Sequence, residues 1–385
     1  MSDDNSVLFK KLNSPGSKKI LALDGGGIRG ILTLGMLKKI ENLARKKSNN
    51  PQLVLGDYYD MIGGTSTGAI IACALAIGKT VDEIIQLYLG LGKEIFGKGL
   101  RRKIFKRDWT NMRAIFSENY SSSNLEKYLY KTFQEINIGD IQNIKCGLAI
   151  NSKRADTYSL WTVANHPRGM YYNANAHIKL WELCRASSAA PYYFKPKKLG
   201  LRRRNGEPID AAFIDGGVSL ANNPAWQTFL VATVPSFGFN WTMGEDNLSI
   251  TSLGTGNGQN KETPDELVKL KAISWASKLS DLFMTDALEL NYVLMEILGT
   301  NKGPAYVFDS QFGTAADLQL CRNKFFSFVR HNVLLTISEL KNLGIEVDGE
   351  TIKSLVAMDH YENMDLLLKI GSTYAETNIN EATIF

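Results

Sequence analysis

The stretch YYDMIGGTSTGAIIACALAIG, residues 58–78, joins a short apolar run to a longer one through glycines and hydroxyl side chains. A short apolar run, a glycine turn and a longer apolar run indicate a strand followed by a helix. Ser66 lies in the turn between Gly64 and Gly68, with the spacing G-x-S-x-G. This spacing is typical of a nucleophile elbow, in which a sharp turn exposes a serine hydroxyl above the edge of a sheet. Five small residues also suit an ordinary turn, so the prediction depends on the flanking strand and helix.

Three further segments have the same strand and glycine-turn pattern: KKILALDGGGIRG (18–30), AAFIDGG (211–217) and LSITSLGTGNG (248–258). Amphipathic helical segments lie between them, and the chain from Thr263 onward is mostly helical in pattern. Alternation of strands and helices predicts an α/β fold with a central, mostly parallel sheet flanked by helices. The active site of such a fold lies beyond the carboxyl ends of the strands, so we expect the four turns to meet there.

Composition excludes several classes of protein. The chain has 385 residues, of which 44% are hydrophobic, and this suits a large folded core rather than a disordered chain. The net charge of +5 is too small to indicate a nucleic-acid-binding protein, so no DNA or RNA partner is predicted. The four cysteines form no C-x-x-C pair, so neither a metal site nor a disulfide framework is predicted.

The N-terminus gives no sign of secretion. Residues 1–17 are polar and lack the basic and apolar regions of a signal peptide, so they are predicted to form a flexible leader. The longest apolar run, AIIACALAI (69–77), is shorter than the roughly 20 residues that a membrane-spanning helix needs. We therefore expect a cytoplasmic protein that binds the membrane surface peripherally and does not span the bilayer.

The loop DGGGIRG, Asp24 to Gly30, has two interpretations. Gly25, Gly27 and Gly30 match the dinucleotide-binding spacing G-x-G-x-x-G, so a nucleotide-binding module remains an alternative. The acidic residue expected roughly 20 positions later is missing, which counts against it. In the other interpretation the glycine N–H groups stabilise the oxyanion of an acyl-transfer reaction, with Arg29 beside them.

A serine nucleophile needs a base, and none of the four histidines lies in a glycine turn at the end of a strand. Asp215 does, because it ends the strand AAFI and begins the turn DGG. A carboxylate held beside the serine can act as the base directly, giving a dyad without histidine. Turn capping is the ordinary role of such an aspartate. A Ser-Asp-His hydrolase that uses His331 or His360 is the competing arrangement.

DGGGIRG, GTSTG and DGG, in this order at strand ends, resemble the motifs of the patatin-like phospholipase family. RASSAAPYYF (185–194), SLGTGNG (252–258) and MDHYENMDLLLKIG (358–371) are similar to other segments of that family. The resemblance therefore spans roughly residues 18–372 and implies a single patatin-like three-layer domain with a helical C-terminal part, followed by a tail at 373–385.

The resemblance implies a serine lipid acyl hydrolase that cleaves acyl esters of glycerophospholipids through an acyl-enzyme, without a cofactor or metal. By that resemblance Ser66 is the nucleophile and Asp215 the base. The oxyanion hole is assigned to Gly25, Gly26, Gly27 and Arg29, and the flanking motif glycines are Gly64, Gly68, Gly216 and Gly217.

Two segments concentrate positive charge, residues 97–107 and 195–204. The first segment suits the anionic surface at the inner membrane, and the second suits the phosphate groups of a lipid or of a nucleotide effector. A solvated charged loop is an equally ordinary explanation. Some small bacterial patatins that this sequence resembles are switched on by a cyclic dinucleotide in anti-phage defence. The resemblance therefore implies, as a hypothesis, activation by a cyclic dinucleotide in anti-phage defence. By analogy, it also implies a homodimer or higher oligomer. A constitutive or differently regulated lipase and an inactive membrane-binding protein are the remaining alternatives.

Overall fold

A computed structural model describes residues 6–97, 121–191, 193–259, 262–307 and 321–384. Its described residues contain a nine-stranded sheet. The strands are β1 Lys18–Leu23, β2 Met61–Thr65, β3 Gly147–Arg154, β4 Leu160–Ala164, β5 Lys197–Arg202, β6 Pro208–Asp215, β7 Leu248–Leu253, β8 Gly299–Asn301 and β9 Phe326–His331.

The strand order is β5-β6-β3-β2-β1-β7-β9-β8, and β4 pairs with β3 outside this path. The pairs from β3 through β2, β1, β7 and β9 to β8 are parallel. β4 and β6 run antiparallel to β3, and β5 runs antiparallel to β6. The sheet is therefore mostly parallel, as the sequence predicts, with an antiparallel margin on the side of β6.

Fifteen helices of α type are present in the described residues. They are α1 Val7–Asn13, α2 Gly30–Lys47, α3 Leu55–Tyr58, α4 Thr67–Ala76, α5 Val81–Leu91, α6 Ser122–Phe133, α7 Tyr172–Asn175, α8 Leu180–Ser187, α9 Ala225–Thr233, α10 Pro264–Leu267, α11 Ala272–Leu298, α12 Ile337–Asn342, α13 Gly349–Val356, α14 Met364–Asn378 and α15 Glu381–Ile384. Single turns of 3₁₀-helix lie at Gly27–Arg29, Gly216–Val218, Pro235–Phe237 and Tyr361–Asn363, and a π-helical turn at Gly92–Gly97.

Helices cover both faces of the sheet. Neighbouring residues of β2 point to opposite faces, so their contacts distinguish the two sides. A side chain at Gly63 would meet Thr228 of α9, whereas one at Gly64 would meet the backbone of Gly68 in α4. The sheet is therefore the middle of three layers, with α4 on one face and α9 on the other. This is the α/β architecture that the sequence predicts.

The N-terminal segment corrects the prediction of a flexible leader. Residues 7–13 form α1, whose Leu8, Phe9 and Leu12 are buried. Trp241 fixes this helix by donating its indole N–H to the carbonyl of Leu12 at 2.8 Å. Three apolar side chains on one side of a two-turn helix are enough to dock it, and this short pattern is hidden in a polar composition.

The predicted boundary at residue 372 also shifts. Helix α14 continues to Asn378, and Ala375, Ile379 and Ile384 are buried. The last described residues therefore belong to the packed body rather than to a tail. None of the helices in the described ranges combines the length and the apolar character that crossing a membrane requires.

Candidate active site

The residue pairing between strands places three of the predicted motifs at the same edge of the sheet. Leu23 of β1 pairs with Gly64 of β2, and Thr65 pairs with Asn151 of β3. The next residue of β3, Ser152, pairs with Asp215 of β6. Ser66 and Asp215 therefore stand beside each other just past the end of β2, and the glycine turn after β1 begins at the same edge.

The direction of the strand that carries Asp215 differs from the prediction. The prediction places all the glycine turns at the carboxyl ends of parallel strands, but β6 is antiparallel to β3. Its last three residues overlap the end of β3, and the rest of β6 extends past the end of β3 while it pairs with β5. This short overlap places the carboxylate level with the serine.

Ser66 occupies a strained turn. Its φ of 54° and ψ of −121° lie in a region that side-chain-bearing residues seldom adopt. Gly64 and Gly68 make the turn compact, since a side chain on Gly64 would collide with the carbonyl of Gly68. A side chain on Gly68 would collide with the backbone at Leu23. The local geometry is that of a nucleophile elbow.

The serine hydroxyl and the aspartate carboxylate form a direct hydrogen bond. Ser66 Oγ donates to Asp215 Oδ2 at 2.6 Å, and both side chains are buried. The other oxygen, Oδ1, accepts the N–H of Gly217 at 2.7 Å. Burial raises the pKa of Asp215 to about 6, although the bonds from Ser66 and Gly217 oppose that rise. The carboxylate is therefore oriented, ionised near neutral pH, and more basic than an exposed aspartate.

A second serine, which is not predicted from the sequence, holds the elbow in place through hydrogen bonds. Ser187 accepts the N–H of Ser66 on its Oγ at 2.7 Å and donates its own proton to the carbonyl of Asn151 at 2.6 Å. Ser187 lies at the end of α8, in the segment RASSAAPYYF. The only sequence signal for this contact is the family resemblance of that segment.

The glycine loop lies against the nucleophile, but its four predicted oxyanion residues do not have equal roles. The N–H of Gly25 is engaged, because it donates to the carbonyl of Asn222 at 3.0 Å. Arg29 donates its backbone N–H to the carbonyl of Gly26 at 3.2 Å. Within the described residues, the N–H groups of Gly26 and Gly27 have no hydrogen-bond partner. Among the four predicted residues, the backbone N–H groups that remain available for an oxyanion are those of Gly26 and Gly27.

Close packing explains the glycines at these positions. A side chain on Gly25 would lie 2.5 Å from Asn222 Oδ1 and 3.3 Å from Ser66 Cβ. A side chain on Gly26 would collide with the hydroxyl of Thr255. Gly27 has a φ of +60°. The loop thus depends on glycine for both space and backbone conformation.

Arg29 is a buried cation beside this loop. Its Nε lies 3.4 Å from the carbonyl of Gly26. Burial lowers the pKa of Arg29 to about 10, and the nearby Tyr193 and Asp24 act in the opposite direction. The guanidinium therefore remains charged at neutral pH and adds positive potential near the site.

A buried ion pair lies beneath the glycine loop. Arg330 donates from Nη1 to Asp24 Oδ1 at 2.8 Å and to Ser252 Oγ at 2.7 Å. Burial lowers the pKa of Arg330 and Asp24 raises it, with a net increase above its ordinary value. Arg330 is not predicted from the sequence, because the region after Thr263 has a mostly helical pattern, whereas Phe326–His331 is strand β9.

The histidines do not complete a triad in this structure. His331 is buried on β9, and neither of its ring nitrogens has a hydrogen-bond partner among the described residues. His360 contacts Ser354 Oγ at 2.9 Å through Nδ1 and lies 3.8 Å from Glu362. His166 is buried between Phe9 and Phe239 and His177 is exposed; these complete the four histidines.

The second basic segment forms the hairpin of β5 and β6. Lys197 pairs with Glu126 at 3.1 Å and Lys198 with Asp210 at 2.6 Å. Arg202, Arg203 and Arg204 at its tip are exposed, and no carboxylate within the described ranges pairs with them. β6 ends at Asp215, and its earlier residues lie beyond the end of β3. The tip of the hairpin therefore projects from the edge of the sheet that carries Ser66 and Asp215. The first basic segment, residues 97–107, lies outside the described residues beyond Gly97.

The described part of the chain contains no cluster of three or more His, Cys, Asp or Glu side chains that could hold a metal ion.

Comparison with known proteins gives consistent matches. A family described as "Patatin-like phospholipase" matches residues 21–229, which is more than half of the chain. Patatin group J-1 of Solanum tuberosum is 23% identical over 381 residues, covering 94% of this chain and 84% of that protein. Patatin group D-3 of the same plant is 26% identical over 369 residues, covering 91% and 87%. Human GIVD cytosolic phospholipase A2 is 10% identical with a TM-score of 0.44, covering 96% of this chain and 61% of that one.

Proposed function

The chain belongs to the patatin-like phospholipase family and is a lipid acyl hydrolase, and we propose that it cleaves acyl esters of membrane glycerophospholipids with a Ser66–Asp215 dyad. The observation that carries the proposal is the direct hydrogen bond of 2.6 Å from Ser66 Oγ to Asp215 Oδ2. The bond joins a hydroxyl on a strained elbow to a carboxylate whose pKa is raised to about 6. A nucleophile within reach of a base of suitable strength is the arrangement that acyl transfer needs.

In the first half of the reaction, Ser66 Oγ attacks the ester carbonyl while its proton passes to Asp215 Oδ2. A bond forms between Oγ and the acyl carbon, and the carbonyl oxygen becomes an oxyanion. When the tetrahedral intermediate collapses, the ester C–O bond breaks and the departing alcohol, a lysophospholipid, takes the proton from Asp215. The enzyme is then acylated on Ser66 and the carboxylate is ionised again.

The second half repeats these steps with water. Asp215 accepts a proton from a water molecule that attacks the acyl-enzyme, and it returns that proton to Ser66 Oγ as the fatty acid leaves. Every proton taken by the carboxylate is returned, so the dyad needs no third residue to balance the cycle. The hydrogen bond from Gly217 keeps Asp215 aligned through both halves.

Two sets of N–H groups are available for the oxyanion. The N–H groups of Gly26 and Gly27 have no hydrogen-bond partner among the described residues, and α4 begins at Thr67 directly after Ser66. The N-terminus of a helix favours negative charge, and the buried Arg29 adds a full positive charge nearby. Removing one donor from an oxyanion hole typically costs about 100- to 1000-fold in rate.

Encounter with a lipid surface is part of the proposal. The exposed arginines Arg202, Arg203 and Arg204 project from the edge of the dyad, and each basic residue near an anionic membrane contributes about 1 kcal/mol to binding. Activation by a cyclic dinucleotide, a role in anti-phage defence, and oligomerisation remain predictions from the resemblance, and the same assay can address the first of them.

The test measures fatty acid release from liposomes of mixed neutral and anionic phospholipids, with and without a panel of cyclic dinucleotides. We expect release by the wild type and its loss in Ser66→Ala and in Asp215→Asn. Asp210→Asn is the matched control, because this exposed carboxylate lies on the same strand and should leave activity unchanged. Equal release by the wild type and by Ser66→Ala would refute the dyad. Release that requires one nucleotide would support the regulatory prediction.

A further inference from the structure

The side-chain amide of Asn222 lies beside both members of the dyad. A Cβ atom on Gly25 would lie 2.5 Å from Asn222 Oδ1 and 3.3 Å from Ser66 Cβ. A Cβ atom on Gly217 would lie 2.9 Å from the same amide oxygen and 3.0 Å from Asp215 Oδ1. The space of one carbon atom therefore separates this oxygen from Ser66 on one side and from Asp215 on the other.

This amide is available to a ligand. Asn222 is half-buried, and no group of the described residues forms a hydrogen bond with its carboxamide. The next asparagine differs, because Asn223 is buried and its Oδ1 accepts the N–H of Ala225 at 3.0 Å. A carboxamide accepts on its oxygen and donates from its nitrogen, so Asn222 can bind a polar group in the site through either end.

The backbone holds Asn222 in place before a substrate arrives. Its carbonyl accepts the N–H of Gly25 at 3.0 Å, and its own N–H donates to the carbonyl of Ser219 at 3.4 Å. The carbonyl of Ala221, the preceding residue, accepts the hydroxyl of Thr65 at the end of β2. These bonds join the segment to the glycine loop and to the strand that leads into the elbow. The amide is therefore preorganised, as a group that positions a reactant must be.

Acylation of Ser66 leaves one oxygen of Asp215 without its hydrogen-bond donor. In the free enzyme Asp215 Oδ2 accepts the hydroxyl of Ser66, and Oδ1 accepts the N–H of Gly217. Acylation converts the hydroxyl into an ester oxygen that has no proton to donate, so Oδ2 can accept a water molecule instead. A water held by one acceptor can rotate about that bond. Its second O–H therefore needs an acceptor if a lone pair is to point at the acyl carbon.

We propose that Asn222 Oδ1 is this acceptor, so that Asn222 and Asp215 together hold the hydrolytic water, an inference that rests on the proposed Ser66–Asp215 mechanism. One proton of the water passes to Asp215 Oδ2 as the water oxygen bonds to the acyl carbon, while the other O–H donates to Asn222 Oδ1. When the tetrahedral intermediate collapses, the bond from the acyl carbon to Ser66 Oγ breaks and the proton on Asp215 returns to Oγ. The second proton leaves with the fatty acid, and Asn222 neither gains nor loses one.

The test measures acylation and deacylation separately with p-nitrophenyl butanoate. Nitrophenolate departs without a proton, so acylation of Ser66 by this ester does not need the water site. Stopped-flow absorbance gives the acylation rate from the burst of nitrophenolate, and intact mass spectrometry of the quenched enzyme gives the decay of the acyl-enzyme. For Asn222→Ala we expect acylation within about threefold of the wild type and deacylation slower by about 100-fold, a typical cost of a misplaced reactant. The kcat should therefore fall while kcat/KM stays nearly unchanged.

Asn247→Ala is the matched control, because Asn247 is exposed directly before β7, at the opposite edge of the sheet from the dyad. It should keep both rate constants of the wild type. Asn222→Ser retains a shorter hydroxyl, and its deacylation should lie between that of Asn222→Ala and that of the wild type. Each rate constant is measured on the acyl-enzyme that forms, so a loss of folded protein lowers the size of the burst and neither rate.

The outcomes separate the water site from the dyad. A wild-type rate of deacylation in Asn222→Ala and Asn222→Ser overturns the water site and leaves the proposed function standing. An equal fall in acylation and deacylation also overturns it, because the amide then supports both steps, as an oxyanion donor or a support of the glycine loop would. Equal hydrolysis of the ester by the wild type and by Ser66→Ala refutes the proposed function, and with it the acyl-enzyme on which the water site depends.

Discussion

Asp215→Asn should make the protein inactive but more stable, and the gain should depend on pH. The pKa of Asp215 lies at about 6, compared with an ordinary value of 3.8. This difference of about two pKa units corresponds to about 3 kcal/mol of free energy, at roughly 1.4 kcal/mol per unit. The cause is burial, because the ionised carboxylate loses the hydration that it has in the unfolded chain.

The sign follows from proton binding. Between pH 3.8 and about 6 the folded protein binds the proton on Asp215 more tightly than the unfolded chain does. The free energy of unfolding therefore falls as pH rises through this window, and the loss is complete above pH 6. Asparagine has nearly the same shape and can accept the Gly217 N–H, but it carries no charge. We expect Asp215→Asn to exceed the wild type by about 3 kcal/mol at pH 8 and to match it near pH 4.

The assay is urea unfolding of both proteins at pH 4, 6 and 8, read as the midpoint at constant m-value. Other titrating groups are common to both proteins, so they cancel in the difference. Asp24→Asn is the contrasting control, because Asp24 is equally buried but is paired with Arg330. Its removal leaves a buried cation unpaired and should cost about 3–5 kcal/mol at neutral pH. If Asp215→Asn shows no gain at pH 8, or the same gain at every pH, the raised pKa of the base is refuted.

Three further outcomes follow from the site. Because the base Asp215 must be ionised, the kcat/KM for a neutral ester should fall about tenfold per pH unit below an apparent pKa of about 6. A pH profile of kcat/KM that is flat down to pH 4.5 would contradict this. Gly26→Ala should lower kcat by about 100-fold or more. Thr255→Ala removes the hydroxyl and methyl groups next to Gly26 and the hydrogen bond from Thr255 Oγ1 to the Gly25 carbonyl, and its kcat should stay within about tenfold of the wild type. Stopped-flow acylation rates would distinguish the two variants. His331→Gln and His360→Gln should each hydrolyse an ester within about tenfold of the wild-type rate in a steady-state assay, in a manner that depends on Ser66. A loss of rate beyond about 1000-fold in either variant would restore the Ser-Asp-His alternative.

Some features of the fold can be predicted from the sequence because they depend on local backbone chemistry. A strand that ends in glycines before a helix can be recognised from residues 58–78 alone, because only small residues fit a turn as tight as that at Ser66. The mostly parallel sheet follows from the repetition of this pattern. The N-terminal helix α1 is missed because its three buried side chains form too short a period in a polar segment.

Other features depend on partners that are distant in the chain. Nothing near Arg330 indicates that it will pair with Asp24, which is 306 residues away, and the strand that carries it lies in a part of the chain that is predicted to be mostly helical. Ser187 likewise acquires its role only when the end of α8 packs beside the elbow. Gly25 loses its predicted oxyanion role through one hydrogen bond to Asn222, a contact 197 residues away in the sequence.

The sequence by itself therefore determined the elbow, the glycine loop and the candidate pair Ser66 and Asp215, because each is a property of a few adjacent residues at a strand end. Tertiary structure alone decided that the pair is in contact, because an antiparallel β6 had to overlap β3 by three residues to bring Asp215 level with Ser66. It also decided the strength of the base, because the pKa of Asp215 is set by burial beneath segments that are remote in the chain.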